Sequence, residues 1–220
     1  MTRFELLIAT RNVGKIEELR EAFADLPVVL RFLHEFENIF EVEELGETYE
    51  ENAFLKAMSY SQQIEIAALA DDSGLEVDAL QGQPGVLSAR FGGSDLSDTE
   101  RTKALLAVLS NISQPHRTAR FVCSMVLYGS PAYHPAGSSE SKILAVSRGV
   151  CEGSLATKRS GTNGFGFDPI FIPDGYNLPF AALNPAIKRK ISHRARAAAL
   201  MQQHLKHYLE SNLTAGGTAS

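Results

Sequence analysis

The first residues of the chain combine a short apolar run with a helical repeat. The run from Phe4 to Ala9 leads through the polar segment TRNVGK into a stretch where Ile16, Leu19, Phe23 and Leu26 recur at the spacing of one helix face. This order predicts a strand, a loop and a helix. Strands and helices continue to alternate in the first half of the chain, whereas β-rich runs cluster in its middle. We therefore predict an α/β protein with a mixed sheet.

Capping residues mark where the other helices begin. Thr48 and Ser97 are each followed three residues later by a glutamate, which is the pattern of a capping box. Asn184, which precedes Pro185, and Ser192 are residue types that favour the N-cap position. These positions predict four further helices, and the apolar runs predict strands over Ile66 to Ala70, Ala119 to Tyr128 and Lys142 to Val150.

The chain has no linker rich in proline and glycine that would divide it, so we predict a single domain over residues 1–213. The segment from Thr214 to Ser220 (TAGGTAS) is too small and polar to pack, and we predict that it is a disordered tail. The segment from Pro131 to Glu140 has the proline, glycine and serine content of an exposed loop between two strands.

Charge and hydropathy exclude several classes of protein. The 21 basic and 26 acidic side chains give a formal net charge of −5, which argues against a protein that coats a nucleic acid polymer or an anionic membrane. Any anion that binds must therefore be held by a local pocket. No apolar run suits a membrane-spanning helix and residues 1–10 lack a secretory signal, so we expect a cytoplasmic protein. Cys123 and Cys151 lie among apolar or small neighbours, which predicts buried, reduced thiols.

The segment TRNVGK is a candidate phosphate-binding loop. It lies where a strand ends and a helix begins, so free backbone N–H groups and the positive end of the helix dipole meet there. Gly14 would let the backbone approach a ligand closely, and Arg11 and Lys15 add full positive charges. The segment is not a Walker A loop, and by itself it also fits an ordinary capped helix with two solvated cations.

A pair of aspartates follows the apolar strand IAALA. Two carboxylates at the end of a buried strand are costly unless something cationic compensates them, so Asp71 and Asp72 predict a nearby cation. Adjacent residues on extended backbone point to opposite faces, so at most one of the two should face a given site squarely. Magnesium suits such a site because it takes a few carboxylates, waters and phosphate oxygens. The glutamates from Glu41 to Glu51, taken alone, also fit a solvated acidic face.

Two later segments could bind a base. The segment from Ser160 to Phe171 (SGTNGFGFDPIF) joins three glycines with aromatic residues, which suits either a rigid loop against a flat ring or a glycine-rich loop beside the core. The segment from Ile187 to Arg196 gathers six basic residues, of which His193 and Arg194 at a helix start can donate to carbonyl or phosphate oxygens. A solvated helix start is the alternative there. Together, these parts are the ones needed to hold a nucleoside triphosphate.

Six segments of the chain, taken in order, carry a family resemblance. TRNVGK, EELGETYEEN, ADDSGL, PGVLSARFGG, GFGFDPIF and SHRARA resemble the signature segments of the inosine/xanthosine triphosphate pyrophosphatase family, over about Phe4 to Leu209. The resemblance implies an elongated α/β fold, with a long mixed sheet, flanking helices and two lobes around a central cleft, and it implies a homodimer. It also implies magnesium-dependent hydrolysis of non-standard purine triphosphates (ITP, dITP and XTP) to the nucleoside monophosphate and pyrophosphate.

Carried over to this chain, the resemblance implies several groups of site residues. The triphosphate would be held by Thr10, Arg11, Asn12, Val13, Gly14 and Lys15. Glu43 and Asp72 would bind the metal, and Asp72 would also be the general base, with Ser73 nearby in the substrate site. The base pocket would be lined by Phe165, Gly166, Phe167 and Asp168, and the recognition of base and phosphate would be completed by Lys188, His193 and Arg194.

The chain departs from the family pattern at two positions. Arg11 stands where the family commonly has glycine, which places a bulky cation beside the phosphates. Phe167 replaces a frequent tyrosine, which removes one hydroxyl group but keeps the aromatic surface.

Two other functions compete with this interpretation. A pyrophosphatase for modified pyrimidines or other damaged nucleotides would use the same phosphate machinery. A nucleotide sensor would hold its ligand without cleaving it, but the presence of Glu43 and Asp72 together with Lys15 argues against that alternative.

Overall fold

The computed structural model of the chain describes residues 4–113, 116–130 and 142–215. In this part of the chain strands and helices alternate early, as the sequence predicts. The strands are β1 (Phe4–Ile8), β2 (Val28–Phe32), β3 (Ala67–Val77), β4 (Thr118–Tyr128), β5 (Ile143–Leu155) and β6 (Phe171–Pro173). The α-helices are α1 (Val13–Ala22), α2 (Tyr49–Ile64), α3 (Asp98–Val108), α4 (Pro185–Ile191) and α5 (His193–Ala215).

The strands form a mixed sheet in the order β2-β1-β3-β4-β5-β6. Strand β1 is parallel to β2 and to β3, whereas β5 and β6 are antiparallel. The predicted α/β class with a mixed sheet and flanking helices is thus confirmed. Strands β2 and β6 were not predicted from the sequence. The run VVLRF of β2 is apolar but only 5 residues long, so periodicity does not distinguish a strand from a buried helix segment there, and β6 has only 3 residues.

The predicted helix caps are confirmed. Thr48 Oγ1 accepts from the Glu51 N–H group at 3.1 Å, and the Glu51 carboxylate accepts from the Thr48 N–H group at 3.0 Å. Ser97 and Glu100 form the same reciprocal pair. The side chains of Asn184 and Ser192 accept backbone N–H groups in the first turns of α4 and α5. Because these bonds join residues two or three apart, the local sequence is enough to predict them.

Strand β3 is longer than predicted. The strand was predicted to end at Ala70, before Asp71 and Asp72, but it continues through both and ends at Val77. Both aspartates are buried inside it, at 1% and 5% exposure. The expectation that the strand ended before the aspartates is therefore wrong. Lysine side chains lie close enough to compensate the buried charges.

The fold divides into two compact units, each made of several chain segments. Unit 1 comprises Met1–Asp72, Ser124–Arg148 and Ala197–Ser220, and unit 2 comprises Ser73–Cys123 and Gly149–Arg196. Each unit has its own apolar core. Ala53, Ala57 and Tyr60 of α2 pack in the core of unit 1, and Phe121, Phe167 and Phe171 pack in the core of unit 2.

The cysteines and the end of helix α5 were also the subject of predictions from the sequence. Cys123 and Cys151 are buried free thiols, as predicted, and burial raises the pKa of Cys151 to about 11. Helix α5 includes residues 214 and 215 of the predicted tail, while residues 216–220 and the predicted loop from Pro131 to Glu140 lie outside the described residues. Within the described ranges, no helix combines the length and the apolar character needed to cross a bilayer.

Candidate active site

Two lysines from different helices converge on the aspartates of β3. Lys15 Nζ lies 3.1 Å from Asp71 Oδ2, and Lys56 Nζ lies 3.6 Å from Asp72 Oδ1. Lys56 Nζ also donates to the Asp71 carbonyl oxygen at 2.7 Å. Lysine ammonium groups thus compensate the buried aspartate charges. We call these four residues, together with Asn52 and Glu44, the aspartate cluster, and all of its members belong to unit 1.

The turn between β1 and α1 places Lys15 in this cluster. Asn12 is the N-cap of α1, and its Oδ1 atom accepts from the Lys15 N–H group at 3.0 Å. The Asn12 N–H group donates to Thr10 Oγ1 at 3.2 Å, which tightens the turn. Arg11 is exposed, and its guanidinium donates to the Ile39 carbonyl oxygen at 3.4 Å. The predicted phosphate-binding segment is therefore a helix start with accessible residues and a cation directed toward Asp71.

Helix α2 supplies two cluster residues to which the sequence analysis assigned no role. Asn52 and Lys56 are four residues apart, so they lie on one helix face, and both are buried. Asn52 Nδ2 donates to Asp72 Oδ2 at 3.3 Å, while Asn52 Oδ1 accepts from the Gly46 N–H group at 2.8 Å. The sequence signal that could have identified these two residues is a pair of polar side chains at helical spacing within an otherwise apolar helix face.

Burial and charge set the protonation of the cluster. The pKa of Asp72 is raised because burial disfavours its charged form more than Lys56 and Lys15 favour it. Burial alone would lower the pKa of Lys56, but the carboxylates of Asp72, Glu44 and Asp71 outweigh burial and raise it. Asp72 therefore has a stronger affinity for a proton than an ordinary aspartate, which suits a general base.

The acidic segment before α2 contributes Glu44 to the cluster. Glu44 Oε1 accepts from Lys56 Nζ at 2.7 Å. The neighbouring Glu43, predicted to bind metal, is exposed. The carboxylates of Glu44, Asp71 and Asp72 face two ammonium groups, which leaves one excess negative charge when all five are ionised.

This charge and these oxygen ligands fit a magnesium ion. A hard divalent cation takes one or two carboxylates from the protein and completes its shell with water and substrate oxygens. Across the described ranges, no group of three or more histidine, cysteine, aspartate or glutamate side chains is arranged to hold a metal by itself.

Unit 2 contains a second polar group around Asp168. This aspartate is buried, and its Oδ2 atom accepts from Lys188 Nζ at 2.5 Å and from the Phe165 N–H group at 2.9 Å. Lys188 Nζ also lies 4.6 Å from the centre of the Phe165 ring. At Gly164, φ is +74° and an added Cβ atom would overlap Asp168 Oδ2, so the turn needs glycine.

The start of helix α5 completes this second group. Arg194 Nη2 donates to Ser73 Oγ at 2.7 Å, and its guanidinium carbon lies 5.6 Å from the Phe165 ring centre. His193 stacks on Phe121 with ring centres 4.6 Å apart and an interplanar angle of 14°. Phe165 thus lies beside two cations, an arrangement that suits recognition of a flat, polar ring.

The structure separates the two phenylalanines of the aromatic segment. Phe165 is half-buried, whereas Phe167 is only 4% exposed and packs in the apolar core of unit 2. Gly166 is half-buried and has φ of +59°. The accessible stacking surface therefore belongs to Phe165.

The structure thus gathers the predicted residues into two groups. Lys15 and Asp72 lie together in unit 1. Thr10 to Gly14 and Glu43 also belong to unit 1. Unit 2 contains the rest, which are Ser73, Phe165, Gly166, Phe167, Asp168, Lys188, His193 and Arg194.

Comparison with known proteins gives concordant matches. The model of the Ham1 family matches residues 6–204. The chain is 41% identical over 204 residues to a dITP/XTP pyrophosphatase of Bacillus anthracis, covering 93% of this chain and 97% of that protein. It is 38% identical over 211 residues to the dITP/XTP pyrophosphatase of Rhodopirellula baltica, covering 96% of this chain and 97% of that protein. The structure of a HAM1 protein from Coxiella burnetii superimposes with a TM-score of 0.80 at 34% identity, covering 93% of this chain and 99% of that protein.

Proposed function

The chain belongs to the Ham1 family, and on that premise we propose that it is a nucleoside-triphosphate pyrophosphatase acting on the non-standard purine nucleotides ITP, dITP and XTP. It hydrolyses each to the nucleoside monophosphate and pyrophosphate. Relatives named dITP/XTP pyrophosphatase match nearly the whole chain. The structural observation that carries the proposal is the buried Asp72, with its raised pKa, beside Lys56 and Lys15.

The aspartate cluster would handle the triphosphate. Lys15 and the first N–H groups of α1 provide positive charge for phosphate oxygens, and the exposed Arg11 can leave the Ile39 carbonyl oxygen to add another. Thr10, Asn12, Val13 and Gly14 complete the binding segment. This concentration of donors would neutralise enough of the triphosphate charge for a nucleophile to approach the α-phosphorus.

Asp72 would act as the general base. A water oxygen attacks the α-phosphorus, the bond from that phosphorus to the bridging oxygen breaks, and the proton released by the water passes to the Asp72 carboxylate. Pyrophosphate leaves with the bridging oxygen. Asn52 donates to Asp72 Oδ2 and Lys56 lies near Oδ1, so both hold the carboxylate in position.

The polar group around Phe165 would recognise the base. Phe165 offers a ring for stacking, and His193, Arg194 and Lys188 offer donors. Hypoxanthine and xanthine present a carbonyl group at the six-position, whereas adenine presents an amino group that would leave such donors without an acceptor. Gly166 and Asp168 would support the loop, and Ser73 would hold Arg194.

We also propose that magnesium binds at Asp72, together with Glu43 or its neighbour Glu44, and a triphosphate. When bound, the ion would offset negative charge on the phosphate oxygens. Glu43 stays a prediction of the family resemblance, while Glu44 already contacts Lys56. The homodimer and the cytoplasmic location also stay predictions.

Magnesium affinity should depend on pH. Because the pKa of Asp72 is raised, its protonated form persists to higher pH than in an ordinary aspartate, and a proton there competes with the metal. We expect calorimetry with a non-hydrolysable ITP analogue present to show magnesium binding that weakens in the wild type as the pH falls toward the raised pKa of Asp72, and that weakens less in Asp72→Asn over the same pH range. The same pH dependence in both proteins would remove Asp72 from the metal site.

The proposed activity is tested with a panel of substrates and one labelled reaction. ITP, dITP and XTP should be cleaved orders of magnitude faster than the four standard triphosphates, with pyrophosphate as product. In ¹⁸O-labelled water, the label should appear in the monophosphate, which locates the attack at the α-phosphorus. Preference for modified pyrimidines would favour the damaged-nucleotide alternative, release of orthophosphate would indicate a terminal phosphatase, and binding without cleavage would indicate a sensor.

A further inference from the structure

The loop that carries Phe165 is held by carboxylates from two distant segments. We define the aromatic loop as residues Gly164 to Asp168. The Phe165 N–H group donates to Asp168 Oδ2 at 2.9 Å, and the next N–H group, that of Gly166, donates to Asp98 Oδ2 at 2.6 Å. Two successive peptide groups are thus fixed by charged acceptors, and Asp98 lies 68 residues earlier in the chain.

The contact comes from the first turn of helix α3. Asp98 is the first residue of α3, and its carbonyl oxygen accepts from Thr102 Oγ1 at 2.6 Å and from Arg159 Nη1 at 3.4 Å. The Thr102 hydroxyl also lies 3.3 Å from the Gly166 carbonyl oxygen. The N–H group and the carbonyl oxygen of Gly166 therefore both face the beginning of α3.

The helix does not need the Asp98 side chain for its cap. Ser97 Oγ accepts from the Glu100 N–H group at 3.3 Å, and the Glu100 carboxylate accepts from the Ser97 N–H group at 2.9 Å. This capping box is complete without Asp98, whose carboxylate is directed to Gly166 instead. The sequence alone would explain an acidic residue there by the helix dipole, so it offers no reason to assign Asp98 to the loop.

Displacement of this peptide would move the stacking ring. Gly166 adopts φ of +59°, a conformation that glycine reaches freely along with many others. Phe165 directly precedes it, and its ring lies 4.6 Å from Lys188 Nζ and 5.6 Å from the Arg194 guanidinium carbon. Without an acceptor for the Gly166 N–H group, the loop would sample other conformations and the ring would leave this position part of the time.

We propose that Asp98 is a positioning residue for base recognition, which holds the aromatic loop in its binding conformation before the substrate arrives. The proposal rests on the function proposed above. When the loop is ordered in advance, binding does not have to order it. Removal of the acceptor should therefore weaken binding of substrate and transition state alike, so KM rises while kcat changes little.

Three variants test this role against a purely structural one. Asp98→Ala removes the acceptor, and Asp98→Asn keeps an amide oxygen that can accept from Gly166. Glu100→Ala is the matched control, because it breaks the capping box in the same helical turn without touching the loop. For ITP we expect Asp98→Ala to raise KM about tenfold with kcat within about twofold, whereas Asp98→Asn and Glu100→Ala keep KM within about threefold of wild type.

Backbone amide hydrogen exchange gives a readout that is independent of turnover. Exchange in the peptide spanning residues 161–168 should accelerate in Asp98→Ala and stay near wild type in Glu100→Ala. An unchanged KM in Asp98→Ala, an equal rise in Glu100→Ala, or an Asp98→Asn variant as impaired as Asp98→Ala would each overturn the proposal. If the wild-type protein does not cleave ITP, the proposed function fails instead, and the exchange result still decides whether Asp98 orders the loop.

Discussion

Replacement of Asp72 by asparagine should lower kcat for ITP by about three orders of magnitude, because an amide cannot accept the proton of the attacking water. The shape of the side chain is kept, and Asn52 can still donate to the remaining oxygen. We therefore expect the variant to fold as the wild type does. The rate of pyrophosphate release at saturating ITP and magnesium measures the loss, and circular dichroism with thermal unfolding checks the fold.

The matched control for this variant is Asp78→Asn. Asp78 directly follows β3, is exposed, and pairs with Arg120 and Thr118 rather than with the aspartate cluster. The same chemical change there should leave kcat within about twofold of wild type, because surface ion pairs contribute little. An Asp72→Asn enzyme that turns over at the wild-type rate would show that another group accepts the proton.

Replacement of Asp168 by alanine should destabilise the protein by about 3–5 kcal/mol, the cost of breaking a buried ion pair by removing one partner. Lys188 is 9% exposed and loses a carboxylate that lies 2.5 Å from its ammonium group. The Phe165 N–H group loses its acceptor in the same change. Urea unfolding without ligand measures the stability, and KM for ITP should rise as well, because the aromatic loop loses one of its two fixed N–H groups.

An exposed ion pair serves as the control for Asp168→Ala. Glu152 pairs with Arg120 at 3.1 Å on a more accessible surface, so Glu152→Ala should cost less than about 1 kcal/mol. The double variant Asp168→Ala/Lys188→Met should recover part of the lost stability, since it no longer buries an ammonium group beside the missing carboxylate. A loss below about 1 kcal/mol in Asp168→Ala would mean that the pair is solvated or that other contacts replace it.

Much of the fold follows from the sequence because its determinants are local. The capping boxes at Thr48 and Ser97 join residues three apart, and the apolar spacing in α1 describes one helix face. The extension of β3 could not be predicted in the same way, because two aspartates normally weaken a buried strand. Lys15 and Lys56, which compensate them, come from separate helices.

The residues of the candidate site also divide into those that the local sequence predicts and those that only tertiary packing selects. Local composition indicated the phosphate-binding segment, the aspartate pair, the aromatic loop and the basic start of α5. It did not indicate that Asn52 and Lys56 would contact Asp72, or that Glu44 rather than its neighbour would reach Lys56. Adjacent residues point in different directions, and only the register of each element and its packing select the one that faces the cluster.

The sequence by itself determined the element types, the helix starts and the chemical character of each binding segment, because caps, periodicity and charge depend on residues a few positions apart. Only the tertiary structure decided which side chains meet. It buried Phe167 in the core of unit 2 while leaving Phe165 accessible, and it brought Asp98 to Gly166 from 68 residues away. Such contacts depend on where the whole chain packs, and no local pattern encodes the distance between two remote side chains.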